Sequence, residues 1–310
     1  MRENRFQVNI ATGRLTLPVV ILVCLILWGI GVSEWKDFGT CLITALCGYL
    51  MIEMNTTFSL IRTRTTLPTC IYWYLSTIFF FLYSFDWQNF APLAFLLSIS
   101  NLFMGYESTK SSIHLFHTFF FIGLGSLAFP QLIYFTPLLA ISTIAFRAMN
   151  VKSFFAFLLG LATPYWFLFA YAFYYDDMQL FHNIIKEMVH FHSIDYSELK
   201  TTEIIAGVFS TLLLMISSVH YFQVAYLDKT RTRIYLSFIA YAGWWTTLLM
   251  FLQPRHIHAL LPIQLIGGAF LAGHLFTLTR NKFSGLFFIV TFILFIILTI
   301  FNLWMQFFNF

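Results

Sequence analysis

From Leu286 to Phe301 the chain reads LFFIVTFILFIILTIF, without a charge, an amide or a proline. Apolar runs of this kind, each near twenty residues, recur along all 310 residues and are separated by short polar knots. A helix needs about 20 apolar residues to cross a hydrocarbon core of ~30 Å, and its backbone polar groups must be satisfied within the segment. The pattern therefore points to an all-α fold, a polytopic bundle of transmembrane helices. A transmembrane β-barrel would alternate apolar and polar residues over stretches of about ten residues, and this chain does not. Composition agrees: 59% of residues are hydrophobic and 10% charged, against about 25% charged in a soluble domain.

Eleven helices are predicted, near 16–33, 38–60, 67–85, 91–106, 111–128, 131–147, 153–175, 204–226, 234–252, 257–278 and 284–306. Together they form one transmembrane domain over 1–310. The N-terminal stretch pairs basic residues with an apolar run, as a signal peptide does. No small-residue cleavage motif follows, so it reads as a retained first helix. Pro130 divides 111–147 into two full spans or a broken, partly re-entrant pair.

Basic residues gather on the inner side of bacterial membrane proteins. With the N-terminus inside, the inner segments hold Arg2, Arg5, Arg14, Arg62, Arg64, Lys110, Arg147, Lys152, Lys229, Arg231, Arg233, Arg280 and Lys282, 13 of the 17 basic residues. Nine of the 13 acids fall outside: Glu34, Asp37, Asp86, Asp176, Asp177, Glu187, Asp195, Glu198 and Glu203. An odd number of spans then puts the C-terminus outside, and the expected location is a bacterial inner membrane. One outer loop, 176–203, is long. Within it Leu180, Phe181, Ile184, Ile185, Met188 and Phe191 follow a helical face, which predicts an amphipathic helix lying along the membrane surface.

The outer edge also collects polar side chains. Glu34 and Asp37 stand in the first outer loop, three residues apart, where a continued helix would put both on one face. YYDD supplies Asp176 and Asp177. His182, His190, His192, His256 and His258 make five of the nine histidines. Arg255, beside Pro254, is a lone arginine on the side that the charge rule depletes of cations. Inside the apolar runs, Glu53, Asn55, His114 and His117 each need a hydrogen-bonding partner or a cavity. HFH at 190–192 contains two imidazoles, but alternate residues of a helix point apart, so no metal site is expected. Cys24, Cys41, Cys47 and Cys70 lie in apolar runs as packing residues. No phosphate-binding glycine loop occurs. No cofactor and no nucleic-acid partner are expected.

The order RTRTTLP (62–68), FIGLGSLAFPQLIYFTPLLAI (121–141), FLLGLATPYW (157–166) and PRHIHALLPIQLIGGAF (254–270) resembles the membrane half of GT-C glycosyltransferases. It looks closer to a family of polytopic inner-membrane proteins of about this length from Gram-negative bacteria. The GT-C resemblance implies a transferase that uses a polyprenyl-phosphate-linked sugar at the outer face of the membrane. The acid of the first outer loop matches Glu34 or Asp37, with Asp176 and Asp177 as further candidates. The basic turn that holds the lipid phosphate matches Arg255, His256 and His258, and His190 and His192 complete the candidate substrate-binding set. Two features depart from that pattern: the first outer loop is only a few residues, and no soluble domain follows the last helix. Two other readings stay open. One is a lipid or small-molecule transporter with a path through Glu53, Asn55, His114 and His117. The other is a non-catalytic subunit that docks membrane protein partners on the long outer loop.

Overall fold

The computed structural model describes residues 5–32, 34–191, 194–279 and 282–308. Among them the secondary structure is helical throughout, with thirteen α-helices. They are α1 (Arg5–Thr12), α2 (Thr16–Gly31), α3 (Asp37–Phe58), α4 (Leu67–Ile78), α5 (Ala91–Met104), α6 (Ser111–Ala128) and α7 (Thr136–Ala145). The series continues with α8 (Val151–Tyr174), α9 (Met178–Val189), α10 (Thr201–Val224), α11 (Thr230–Leu252), α12 (Ile257–Leu278) and α13 (Lys282–Phe308).

Each of the eleven expected segments carries an α-helix, and the helix foreseen in the outer loop is α9. Seven helices are long and apolar enough to cross a membrane, or eight if α1 and α2, bent by 80°, count as one broken span. This is a multi-pass membrane architecture. Two of the expected spans break well inside the apolar runs that suggested them. The run 67–85 is helical only to Ile78 and continues as a 3₁₀ turn, Phe80–Leu82. The run 131–147 begins as a 3₁₀ segment, Pro130–Phe135, because Phe129 is extended (φ −134°, ψ 92°) ahead of Pro130. At 1.5 Å per residue, α4, α5 and α7 extend only about 18, 21 and 15 Å.

The chain divides into two compact units. The first holds residues 1–86, 197–248 and 260–310; the second holds 87–196 and 249–259.

In the first unit, Leu260–Leu278 of α12 is apolar on every face, and such a helix belongs in an interior. Leu261, Ile263, Ile266, Phe270 and Leu271 are all buried. Three buried polar residues interrupt it, Gln264, His274 and Thr277. Gln264 accepts from Ser210 Oγ (2.6 Å) and donates to Thr211 Oγ1 (3.0 Å) and Thr247 Oγ1 (2.7 Å), so its amide stitches α10, α11 and α12 together. Small residues let the backbones close: a Cβ on Gly267 would lie 3.3 Å from Gly243 Cα. In α3, Gly48 leaves room for the indole of Trp73, whose Nε1 donates to Thr44 O at 3.0 Å. The amphipathic α1, absent from the expected elements, is anchored by Gln7. Its Nε2 donates to Phe276 O (2.7 Å), Thr279 O (2.9 Å) and Ser284 Oγ (3.1 Å). Cys24, Cys47 and Cys70 are buried, Cys41 is half-buried, and all four are free thiols.

In the second unit, α6 and α8 form the tightest pair. A Cβ on Gly160 would stand 2.4 Å from Phe116 O, and one on Gly123 would stand 2.9 Å from Leu161 O. Asn150 caps α8 by accepting from Ser153 N (2.8 Å) and donates to Ser111 Oγ (3.1 Å). The other face of α8 exposes Phe155, Leu159, Trp166, Phe167 and Phe173, a surface suited to lipid tails.

Candidate functional site

The candidate site forms where α11 stops. Gln253 leaves the helix (φ −135°, ψ 70°), Pro254 opens a 3₁₀ turn through His256, and α12 starts at Ile257. Pro254 has no N–H and a fixed φ, so a break falls here. The turn is held from below. Gln253 and Pro254 are buried, Gln253 N donates to Leu249 O (2.8 Å), and His256 N donates to Gln253 O (3.1 Å). The half-buried His256 ring meets Phe129 edge-on, with centroids 5.5 Å apart. Arg255, between these fixed neighbours, is exposed, and His258 is half-buried on the first turn of α12. The result is a guanidinium presented outward from a rigid base.

The long loop is fixed to the same unit at two points. Tyr134, in the 3₁₀ segment, donates to Met188 O at 3.0 Å, and its hydroxyl also meets the side chain of Gln253. Tyr196 donates to Phe251 O at 2.6 Å, at the last turn of α11. Along α9, Phe181, Ile184 and Met188 are half-buried and Leu180 and Ile185 exposed, as is Phe191 just beyond the helix. The Phe181 ring packs edge-on against Phe169 of α8, with centroids 5.6 Å apart. A shallow recess along α9 is lined by Phe181, His182, Ile185, Lys186, Val189 and His190. A cation, two imidazoles and apolar edges there suit a layer of anionic headgroups.

The candidate acids divide by what they already do. Asp177 caps α9, accepting from Leu180 N at 3.3 Å. Asp176 is exposed in left-handed backbone (φ 56°), the conformation that closes α8. In the first unit, Glu34 is exposed and 4.0 Å from Lys36 Nζ. Asp37 is buried and accepts from Glu34 N (3.1 Å) and Phe85 N (3.3 Å). The continued helix expected to align Glu34 with Asp37 is absent: α2 ends at Gly31, and α3 begins at Asp37 itself. Asp37's carboxylate turns back to close the intervening loop, which fixes its geometry by backbone bonds. His190 is exposed at the end of α9, with its N–H bonded to Lys186 O at 2.8 Å. His192 lies outside the described residues. Among the described residues no three His, Cys, Asp or Glu side chains come together as metal ligands.

Two of the polar groups of the apolar runs, Glu53 and Asn55, form side-chain hydrogen bonds. Glu53 is exposed on α3 and accepts from Thr57 Oγ1 at 3.1 Å. Asn55 is buried and binds the loop that follows, donating to Thr65 O (3.0 Å) and accepting from Ile61 N (3.1 Å). One buried pair was not foreseen. His274 Nε2 lies 2.9 Å from Asp228 Oδ2, with only 1% and 5% of the side chains exposed. A histidine alone in the run GAFLAGHLFTL was the signal for it, but its partner lies 46 residues earlier, in the basic loop between α10 and α11. Comparison with family models, curated proteins and solved structures found no match for this chain.

Proposed function

We propose that the protein is a bacterial inner-membrane protein of eleven spans, N-terminus inside and C-terminus outside. At its outer face it binds a polyprenyl-phosphate-linked sugar at the Arg255 turn and acts as a GT-C-like glycosyltransferase. The observation that carries this reading is the placement of Arg255, an exposed guanidinium on a proline-initiated turn whose neighbours on both sides are packed. A guanidinium forks onto two phosphate oxygens, and a fixed fork loses less freedom on binding than a mobile one. His256 and His258 stand beside it as further donors, and α9 supplies the interfacial platform. The general base is then one of the outer carboxylates. Asp176 and Glu34 are exposed, whereas Asp177 and Asp37 already accept backbone N–H groups.

The test is lipid retention by the purified full chain. Wild type is expected to carry a polyprenyl-phosphate lipid. Arg255→Ala should lower its affinity roughly ten- to a hundredfold, the worth of a charge-assisted contact of about 1.5–3 kcal/mol. Arg255→Lys should fall between the two, because an ammonium does not fork. Unchanged retention in Arg255→Ala would remove the site. Amide replacements Glu34→Gln, Asp37→Asn, Asp176→Asn and Asp177→Asn then locate the base, whose loss should slow transfer about 10²–10⁴-fold. Full glycan assembly in all four would remove catalysis and leave a lipid-binding protein.

A further inference from the structure

The first unit contains a second concave feature, distinct in residues from the Arg255 turn. It is an apolar cavity of about 270 Å³, walled by α1, α2, α4, α12 and α13. Val19, Val23, Ile71, Phe288, Phe292 and Phe295 are among its lining residues. A cavity of ~150 Å³ lined by Leu, Ile and Phe takes up benzene, so this one has room for roughly ten chain carbons by the same scale. α1 crosses one end. Gln7 anchors it to the turn between α12 and α13, and the Phe6 ring packs edge-on against Phe288 and Phe292 at 6.0 and 5.9 Å. Ile10 of α1 contributes to the lining.

That same end is cationic. Arg14 stands exposed at the 80° elbow between α1 and α2. Arg62 and Arg64 are exposed on the loop before α4, and Thr65 Oγ1 ties that loop to Ala11 O at 2.5 Å. Asn55 holds the loop from the other side. An apolar recess between apolar helices, with three arginines at the end that the amphipathic α1 covers, matches one chemistry in both parts. We infer that it seats an anionic glycerophospholipid, one acyl chain in the cavity and the headgroup phosphate on Arg14, Arg62 and Arg64. Each basic side chain near an anionic headgroup contributes on the order of a fivefold gain in binding, and the buried chain supplies the rest.

Native mass spectrometry of the detergent-purified full chain, titrated with dioleoyl phosphatidylglycerol or dioleoyl phosphatidylcholine, tests this. Wild type should bind one phosphatidylglycerol in preference to phosphatidylcholine. Val20→Trp and Val23→Trp, which fill the cavity, should lose that lipid, whereas Leu25→Trp, on the exposed side of the same helix, should keep it. The triple variant Arg14→Gln, Arg62→Gln, Arg64→Gln should bind both lipids alike, its preference falling roughly tenfold or more. Unaltered binding in the filled variants overturns the cavity assignment, and an intact preference in the triple variant overturns the headgroup assignment. A diazirine-bearing phosphatidylglycerol tests wild type directly. Cross-links on the lining residues of α1, α2, α4, α12 or α13 support the site, and cross-links confined to residues outside the lining overturn it. Arg255→Ala should leave this binding unchanged, which separates the site from the outer one.

Discussion

Asp228 and His274 show how a single side chain can decide the stability of a helical membrane protein. Their atoms meet at 2.9 Å with almost no exposure, and the edge of Tyr221 covers the imidazole, centroids 5.5 Å apart. Removing one partner leaves the other buried without its mate, which costs about 3–5 kcal/mol, whereas replacing both with apolar residues is often close to neutral. His274→Ala and Asp228→Ala should therefore each lower the midpoint of thermal unfolding in detergent by many degrees. The double replacement His274→Ala, Asp228→Ala should be less destabilised than the sum of the single changes. Additive effects in that cycle would show that the two residues act independently. Asp37 gives a second residue-scale prediction. Its carboxylate closes a loop with two backbone N–H groups, so Asp37→Asn, which keeps one acceptor oxygen, should cost about 1–3 kcal/mol of stability. The exposed Glu34→Gln should cost almost nothing. A drop in the proposed transferase activity for Asp37→Asn without loss of stability would point instead to a chemical role.

The α6–α8 pair carries the element-scale prediction. Gly160 lets the two backbones approach until an added Cβ would stand 2.4 Å from Phe116 O. A carbonyl cannot rotate aside as a side-chain tip can, so Gly160→Ala should push the helices apart and cost about 1–3 kcal/mol. Gly29, on α2, meets nothing within 4 Å, so Gly29→Ala should be neutral or slightly stabilising. Thermal midpoints of the two variants check the contrast. Elements of this kind were legible in the sequence because the solvent is hydrocarbon: the apolar runs mark the helices, and proline marks the breaks at 130 and 254. Helix α1 was not legible. Its eight residues RFQVNIAT are mixed in polarity, and what secures them is Gln7 bonding to carbonyls some 270 positions away, at Phe276 and Thr279. The Arg255 turn could be read from PRH alone, since a proline and a lone cation are local signals. The duty of Asp37 could not, because it follows from where α2 ends and from the return of Phe85, both set by tertiary packing.

At the scale of the whole molecule, helix length and charge distribution make separate demands on topology. Seven helices satisfy the length test, eight with the bent α1–α2 pair, while the apolar runs give eleven. With the N-terminus inside, the three counts place the loops differently. Eleven spans put Arg62 and Arg64, Lys110, Arg147, and the Lys229–Arg233 loop all inside. Seven spans, made by α3, α6, α8, α10, α11, α12 and α13, keep the last two groups inside but move Arg62, Arg64 and Lys110 out. Eight spans put the Lys229–Arg233 loop outside and return the C-terminus to the inner side. Only the eleven-span arrangement keeps every basic loop where the charge rule places it. The shorter helices α4, α5 and α7 must then be completed across the bilayer by the 3₁₀ and extended residues beside them, which buried surroundings permit. Reporter fusions after Arg64, Lys110, Arg233 and Phe310 separate the three. The expected pattern is inside, inside, inside and outside. An outside signal after Arg64 and Lys110 would establish seven spans, put Arg62 and Arg64 on the opposite side from Arg14, and remove the shared headgroup site of the first unit's cavity. An outside signal after Arg233 together with an inside one after Phe310 would establish eight, place the Arg255 turn on the inner face, and remove the outer-face transferase reading.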